Sequence, residues 1–332
     1  MPVLWCRLPL AVPLLAAIVD FIVGDPWHWI HPVQVMGWGI QTYQAAVLRY
    51  SKSAIGQRLA GIGLGVGLPL LSGAIAGIIV QFSWDLSPWL GLILAVITMA
   101  SCFAGRSLRR AAEDVLAPLS QDDLPTARQR LSLYVGRDTQ GLSESEVLRA
   151  VMETISENAT DGVLAPLFYA LVGMTIAPAT GVGLAIAYKA LSTLDSMVGY
   201  RKAPYTYLGW FSARAEDIAT WLPCRLTVLT IALLSQRPVH VWRVCQRDAP
   251  HDPSPNAGWS ECAYAAALGV QLGGLNTYQG QIRSKPILGD ATRPLAPSVI
   301  HQGLRLTRWA VGLWLWLGLS GLSFRYGLHC GN

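Results

Sequence analysis

Charge is what this chain has least of: Asp, Glu, Lys and Arg make up 14% of its 332 residues, against 52% hydrophobic ones. With a mean hydropathy of +0.37, that scarcity excludes an ordinary soluble protein and points to a membrane protein. Thirteen Trp and abundant Leu, Ala and Val exclude disorder. The six Cys are scattered with no C-x-x-C pair, so they read as small buried hydrophobes rather than disulfide staples or zinc ligands. No G-x-x-x-x-G-K-[ST] loop is present, and the glycines of GIGLGVG do not complete G-x-G-x-x-G, which excludes the familiar nucleotide loops. G-x-S-x-G and H-E-x-x-H are missing as well, removing the simplest hydrolase and zincin readings. The formal charge of +5 is modest and matches basic cytoplasmic loops, not a nucleic-acid footprint.

What is present is a series of charge-free runs: Leu59 to Trp84, Leu86 to Gly105, Gly162 to Tyr188 and the shorter Trp309 to Phe324. A bilayer core of about 30 Å takes about twenty helical residues, so the first two predict transmembrane helices. Gly61 and Gly65, then Gly73 and Gly77, repeat at four-residue spacing and predict close helix packing rather than phosphate binding. Near the N-terminus Arg7 precedes the charge-free Leu8 to Val19. That run has signal-peptide length, but no small-x-small site follows, so Pro2 to Val23 is read as a span with Arg7 at the interface.

The long basic segments 25–58 and 106–161 are assigned to the cytoplasm. RSLRRAAEDVLAPL in the second predicts an amphipathic helix on or beside the membrane. The whole chain, 1–332, reads as one membrane domain, with 106–160 a cytoplasmic helical segment within it. The fold class is all-α: a polytopic helical membrane protein of about five or six spans with a short broken hairpin and cytoplasmic amphipathic helices. That hairpin is centred on Pro178, seventeen residues from both Asp161 and Asp195, so folding there returns both carboxylates to one membrane face with Lys189 at similar depth. Ile218 to Ser235, interrupted by Pro223 and Arg225, is expected to be re-entrant or interfacial. Cys262 to Ile282 is expected to pack against other helices.

Three polar clusters carry the candidate chemistry. In SENATDG, Glu157, Asn158 and Asp161 stand just before a long apolar helix, where free N–H groups attract anions; simple capping is the alternative. A second cluster includes Lys189, Asp195, Arg201, Lys202, Arg214, Glu216, Asp217 and Arg225, and ionisable groups at membrane depth are costly unless paired or functional. Arg201 reads as an interfacial anchor. In HDPSPNAGWSECAYAAALGVQLGG, Ser254, Pro255 and Asn256 predict the cap of a helix bearing Glu261, and Gly273 and Gly274 allow close backbone approach to a ligand. His28 and His31 beside Asp25 have the spacing of a metal pair, but Pro32 and the intervening aromatics favour a structural role.

In order along residues 20 to 290, DFIVGDPWHWIHPVQVMG, SENATDGVLAPLFY, STLDSMVGYR, YLGW through SARAEDI to LPCRLT, and SPNAGWSECAYAAALGVQLGG followed by ILGD resemble the adenosylcobinamide-phosphate synthase (CobD/CbiB) family of cobalamin biosynthesis. Where that family usually reads NTLDSM this chain has Ser192, which removes one amide donor. The resemblance implies an inner-membrane ligase with its active site facing the cytoplasm. It would join adenosylcobyric acid to (R)-1-amino-2-propanol O-phosphate, using ATP and Mg2+, to give adenosylcobinamide phosphate.

A carboxylate is a poor acyl donor, so activation as an acyl phosphate fits the implied reaction, with divalent metal on carboxylates and cations around the phosphates. On that basis Glu157, Asp161, Asp195 and Asp217 are the metal-ligand candidates. Lys189, Lys202, Arg214 and Arg225 are the phosphate binders, and Glu261 is the base for the incoming ammonium. Asn158, Ser254, Asn256, Gly273 and Gly274 are assigned to substrate, and Asp25 and His31 to the same cytoplasmic pocket. The corrinoid would suit a pocket lined by Trp27, Trp29, Trp210 and Trp259, for which an interfacial aromatic belt is the alternative. The lipid bilayer, a second copy of the chain and other cobalamin enzymes are the further expected partners. A ligand-binding membrane sensor or scaffold without turnover is the alternative function, and a transporter the third.

Overall fold

The computed structural model describes residues 8–24 and 31–330, with side chains as far as 324. Asp25, Trp27, His28 and Trp29 fall outside the described residues, as does Arg7. The described chain is mostly helical. Among the described residues, three helices or helical runs are long and apolar enough to cross a membrane: Ala54–Leu86, Pro88–Leu119 and Trp210–Leu234. The expected fold class, an all-α polytopic membrane protein, holds, with one β-hairpin added.

The helices are α1 (Ala11–Ile22), α2 (Pro32–Tyr50), α3 (Ala54–Leu86), α4 (Pro88–Ala100), α5 (Gly105–Leu119), α6 (Leu124–Leu131) and α7 (Glu144–Ala159). They continue with α8 (Ala165–Met174), α9 (Pro178–Val198), α10 (Trp210–Leu234), α11 (Pro238–Asp248), α12 (Ala257–Leu268) and α13 (Pro297–Cys330), with strands β1 (Leu272–Tyr278) and β2 (Gln281–Leu288) between the last two. The chain forms two compact units: residues 1–104, 165–220 and 313–332, and residues 105–164 and 221–312.

In the first unit the expected glycine packing is realised. A Cβ on Gly73 would stand 2.7 Å from the Gly183 carbonyl oxygen, and one on Gly183 would stand 2.9 Å from that of Gly73. Glycine alone lets α3 and α9 approach this closely. Gly61 and Gly65 are buried in the same way against the Leu208 carbonyl and the Phe211 ring. The hairpin expected around Pro178 is α8 and α9, with Pro178 at the first position of α9, where its missing N–H removes no helical bond. At the second unit's start, α5 is the expected amphipathic helix, burying Leu108, Ala112, Val115, Leu116 and Leu119.

Three expectations are corrected. Pro223 and Arg225 do not interrupt α10, which runs unbroken for 25 residues. Pro223 deprives the Ala219 carbonyl of its helical donor, and the Tyr169 hydroxyl donates to that oxygen instead at 2.9 Å. Arg225 sets its guanidinium over the Trp221 and Trp259 rings, 5.3 and 4.2 Å from their centroids, so its charge is shielded without breaking the helix. Cys262–Ile282 is not one helical stretch. Gly269, left-handed at φ 67°, ends α12, and the chain turns back at Gln279 and Gly280, both with positive φ, to pair β1 with β2 antiparallel. Finally, SENATDG does not precede a helix N-terminus. Thr160 keeps helical dihedrals, and Thr160–Leu164 forms a π-helical turn joining α7 to α8, so no row of free N–H groups opens there.

Candidate functional site

In the second unit α7, α12 and the hairpin bring ionisable groups together. Glu153, only 2% exposed, anchors the hairpin. Its carboxylate accepts from the Gly273 N–H at 2.9 Å, from Arg137 at 2.5 Å and from Arg149 at 3.3 Å. Arg149 also donates to the Gly273 and Leu275 carbonyls, and both arginines reach Asn276 Oδ1. A buried carboxylate is tolerated here because two guanidinium groups and a backbone N–H satisfy it. Gly273 belongs to this internal joint: at φ 81° it packs against the Pro286 carbonyl, where a Cβ would collide.

One turn further along α7 is Glu157. Ser260 Oγ donates to the Ser156 carbonyl at 2.5 Å and lies 2.7 Å from Thr160 Oγ1, so α7 and α12 meet at Ser156, Thr160 and Ser260. The residues that follow Ser156 and Ser260, Glu157 and Glu261, are thereby neighbours. Glu261 is fully buried. Its Oε1 accepts from Lys285 Nζ at 3.0 Å, and its Oε2 has no partner. Burial, then Glu157 and Glu153, push Glu261 up to about 8 against the pull of Lys285. Burial raises Glu157 as well, with Asp252 and Glu153 adding and Lys285 and Arg137 opposing. Burial alone would lower Lys285, but Glu261, Glu153 and Glu157 outweigh it and hold its ammonium above the usual lysine range.

The loop before α12 completes this region. Ser254 Oγ, rather than Asn256, caps the helix by accepting from the Ala257 N–H at 3.0 Å. Asn256 is buried, and its carbonyl accepts from Cys224 Sγ. Arg225 donates to the Pro255 carbonyl at 3.0 Å, and its Nη1 has no hydrogen-bond partner. Asn158 is exposed and bonds back to the Thr154 carbonyl, and Asp161 is half-buried in the π turn.

The other predicted site residues lie in the first unit. Lys189 and Asp195, both half-buried on α9, are six residues apart and so on different sides of it. Asp217 on α10 has Arg201 and Arg214 as its charged neighbours, and Arg214 lies over the Trp210 ring. Glu216 accepts from Thr220, which pairs with the Tyr188 hydroxyl at 2.8 Å. Lys202 is exposed in the loop before α10. His31 caps α2: its Nδ1 accepts from the Val33 N–H, while Gln34 accepts from the His31 N–H. The four metal-ligand candidates thus divide, Glu157 and Asp161 in one unit, Asp195 and Asp217 in the other. Among the described residues no three His, Cys, Asp or Glu side chains gather as a metal cage. That donor set fits Mg2+ only in its usual phosphate-borne form, with most ligands from phosphate and water and one or two from carboxylates.

The chain from 13 to 307 matches the family model described as CobD/CbiB protein. It belongs to the CobD/CbiB family. The cobalamin biosynthesis protein CobD of Synechocystis sp. is 51% identical over 316 residues, 95% of this chain and 92% of the relative. The cobalamin biosynthesis protein CbiB of Salmonella choleraesuis is 40% identical over 332 residues, 96% and 98% of the two chains, and that of Salmonella arizonae 41% over 309. No solved structure matches. Glu157 and Glu261 both fall in family-like motifs singled out in the sequence; Lys285, Glu153 and Arg137 were missed. The Arg149, Glu153, Glu157 series at four-residue spacing was a legible signal. For Lys285 the signal was Gln279-Gly280 flanked by strand-forming residues.

Proposed function

We propose that this CobD/CbiB-family protein is an ATP-dependent amide ligase of cobalamin biosynthesis in a bacterial inner membrane, its site facing the cytoplasm. It joins the carboxylate of adenosylcobyric acid to the amine of (R)-1-amino-2-propanol O-phosphate. The observation that carries the reading is Glu261, fully buried with one oxygen on Lys285 and the other unpartnered, beside Glu157. A general base matched to a primary ammonium needs a pKa above that of an ordinary carboxylate, and an apolar, acid-flanked position supplies it.

The corrinoid carboxylate attacks the γ-phosphorus, ADP leaves, and an acyl phosphate forms. The amine, having lost its proton to Glu261, attacks the acyl carbon, and inorganic phosphate departs. Asp161 of the second unit, or Asp195 and Asp217 of the first, would hold the Mg2+ that accompanies the nucleotide, which would supply charge neutralisation for its phosphates. Arg225 is the candidate phosphate cation of the second unit, and Lys189, Lys202 and Arg214 are those of the first. The test is the full chain in detergent with adenosylcobyric acid, aminopropanol phosphate and Mg-ATP, followed by mass. Equal amounts of amide product and ADP are expected. Corrinoid binding with no ADP formed, in a folded sample, would replace the ligase with a ligand-binding sensor.

A further inference from the structure

Where α11 begins, the second unit has a cavity of about 310 Å³, lined by Arg237, His240, Ala266, Gly269, Asp290 and Thr292. Arg237, His240 and Thr292 are exposed, so it opens to solvent. Ligand pockets run from about 300 to 1,000 Å³, which makes this one too small for a corrinoid and suited to a small group. Ala266 and Gly269, at the end of α12, leave the space that larger side chains would fill.

The walls are set before any ligand arrives. The Thr292 hydroxyl donates to the Gly269 carbonyl at 2.8 Å, and the N–H groups of Thr292 and Arg293 donate to the same oxygen. Arg293 adds side-chain bonds to the Leu268 carbonyl and to Gln302. The loop after β2 is thereby pinned to the end of α12, so closely that a Cβ on Gly269 would collide with Thr292 Oγ1. Preassembled walls reduce the ordering cost of binding.

The charges lining the cavity differ in their partners. Asp290 is already occupied: it accepts from Arg247 at 2.8 Å, and Arg247 also holds Asp248, which takes the Gly289 N–H as well. Arg237 and His240 are not. Among the described residues neither side chain has a hydrogen-bond or ion-pair partner. A guanidinium fork and an imidazole lining one cavity suit an anion with several acceptor oxygens. Phosphate has oxygens for both, whereas a dication would meet the Arg237 charge with only Asp290 in its favour.

We infer that this cavity is a phosphate-binding site in which Arg237 and His240 hold the phosphate oxygens. The inference goes beyond the ligase reading and does not require it. Ala266 stands five residues from Glu261 and so on another side of α12, which separates the cavity from the Glu261 pair. Two kinds of phosphate ester carry the required chemistry, a nucleotide and a small amino-alcohol phosphate.

The experiment uses the full chain in detergent and measures binding by calorimetry. The probes are inorganic phosphate, ADP against adenosine, and (R)-1-amino-2-propanol O-phosphate against the amino alcohol alone. Wild type should bind inorganic phosphate and prefer at least one ester to its phosphate-free counterpart. Arg237→Gln should weaken phosphate binding by about tenfold or more, the worth of a hydrogen bond to a charged group, and His240→Gln by about threefold. Arg237→Lys should recover part of the loss, because it restores the charge without the fork. Both side chains are exposed, so these variants should fold as wild type does. The ester whose affinity falls in Arg237→Gln names the occupant, nucleotide or amine phosphate. Arg243, exposed on the same helix but outside the cavity lining, is the control: Arg243→Gln should leave the affinities unchanged. No phosphate binding by wild type, unchanged affinities in Arg237→Gln, or an equal loss in Arg243→Gln would each overturn the site.

Discussion

The two units treat ionisable side chains in opposite ways. In the first, Lys189 and Asp195 stand on different sides of α9, Glu216 is absorbed into a chain of hydroxyls through Thr220 to Tyr188, and Arg214 lies over an indole. In the second, Glu153, Glu157, Glu261 and Lys285 converge from α7, α12 and β2. The difference is one of reach. The described polar contacts of the first unit are local, side chain to the next helical turn or neighbouring helix. Several of those in the second tie segments more than a hundred residues apart, and the buried Glu261 Oε2 and Asp252 Oδ2 have no hydrogen-bond partner. Buried charge that is over-connected and incompletely satisfied is the pattern expected of a site that awaits a ligand.

The comparison breaks hardest at Glu153. Glu153→Ala strands Arg137 and Arg149 and frees the Gly273 N–H, and should destabilise the protein by about 3–5 kcal/mol; its unfolding midpoint in detergent should fall sharply, and a near-normal midpoint would show that the hairpin is held otherwise. Glu261 gives a pH test. Its carboxyl is raised from an ordinary 4.5 to about 8, so between those values the folded state binds more protons than the unfolded one. The stability this contributes is present below pH 4.5 and is lost as pH rises through about 8. Unfolding midpoints of wild type should therefore decline over that window, and Glu261→Gln should flatten the decline; parallel curves would sink the assignment.

In the first unit, Thr220→Val removes the link between Glu216 and Tyr188 and should cost about 1–3 kcal/mol, with ligation little changed. Smallest of all, Arg247→Ala removes a solvent-facing contact with Asp248 and Asp290 and should shift stability by less than about 1 kcal/mol. A larger loss would mean that this surface bridge fixes the loop after β2.

What was legible in the sequence follows from how far each signal reaches. Glycines at four-residue spacing foretold the α3 approach to α9 because one helix face states it locally. Pro178 foretold the α8–α9 hairpin, and the apolar stripe of 106–119 foretold α5. The continuity of α10 was hidden because its rescue comes from elsewhere: Tyr169 serves the carbonyl that Pro223 abandons, and Trp259 covers Arg225. The β-hairpin was hidden by a charge-poor Gly- and Ala-rich run that resembles a packed helix until the positive φ of Gly269, Gly273 and Gly280 is seen. Glu261 was found from its motif, but its partner Lys285 is twenty-four residues away and meets it only through the turn at Gln279 and Gly280.

The account stands most directly on one comparison: product and ADP formed from adenosylcobyric acid, aminopropanol phosphate and Mg-ATP by wild type and by Glu261→Gln, both shown to be folded in detergent. Loss of a positioned base removes about a hundredfold or more of rate, so wild type should give product and ADP in equal amounts and the variant at most about one hundredth of them. Equal turnover by the two proteins would contradict the placing of the acid–base chemistry at Glu261.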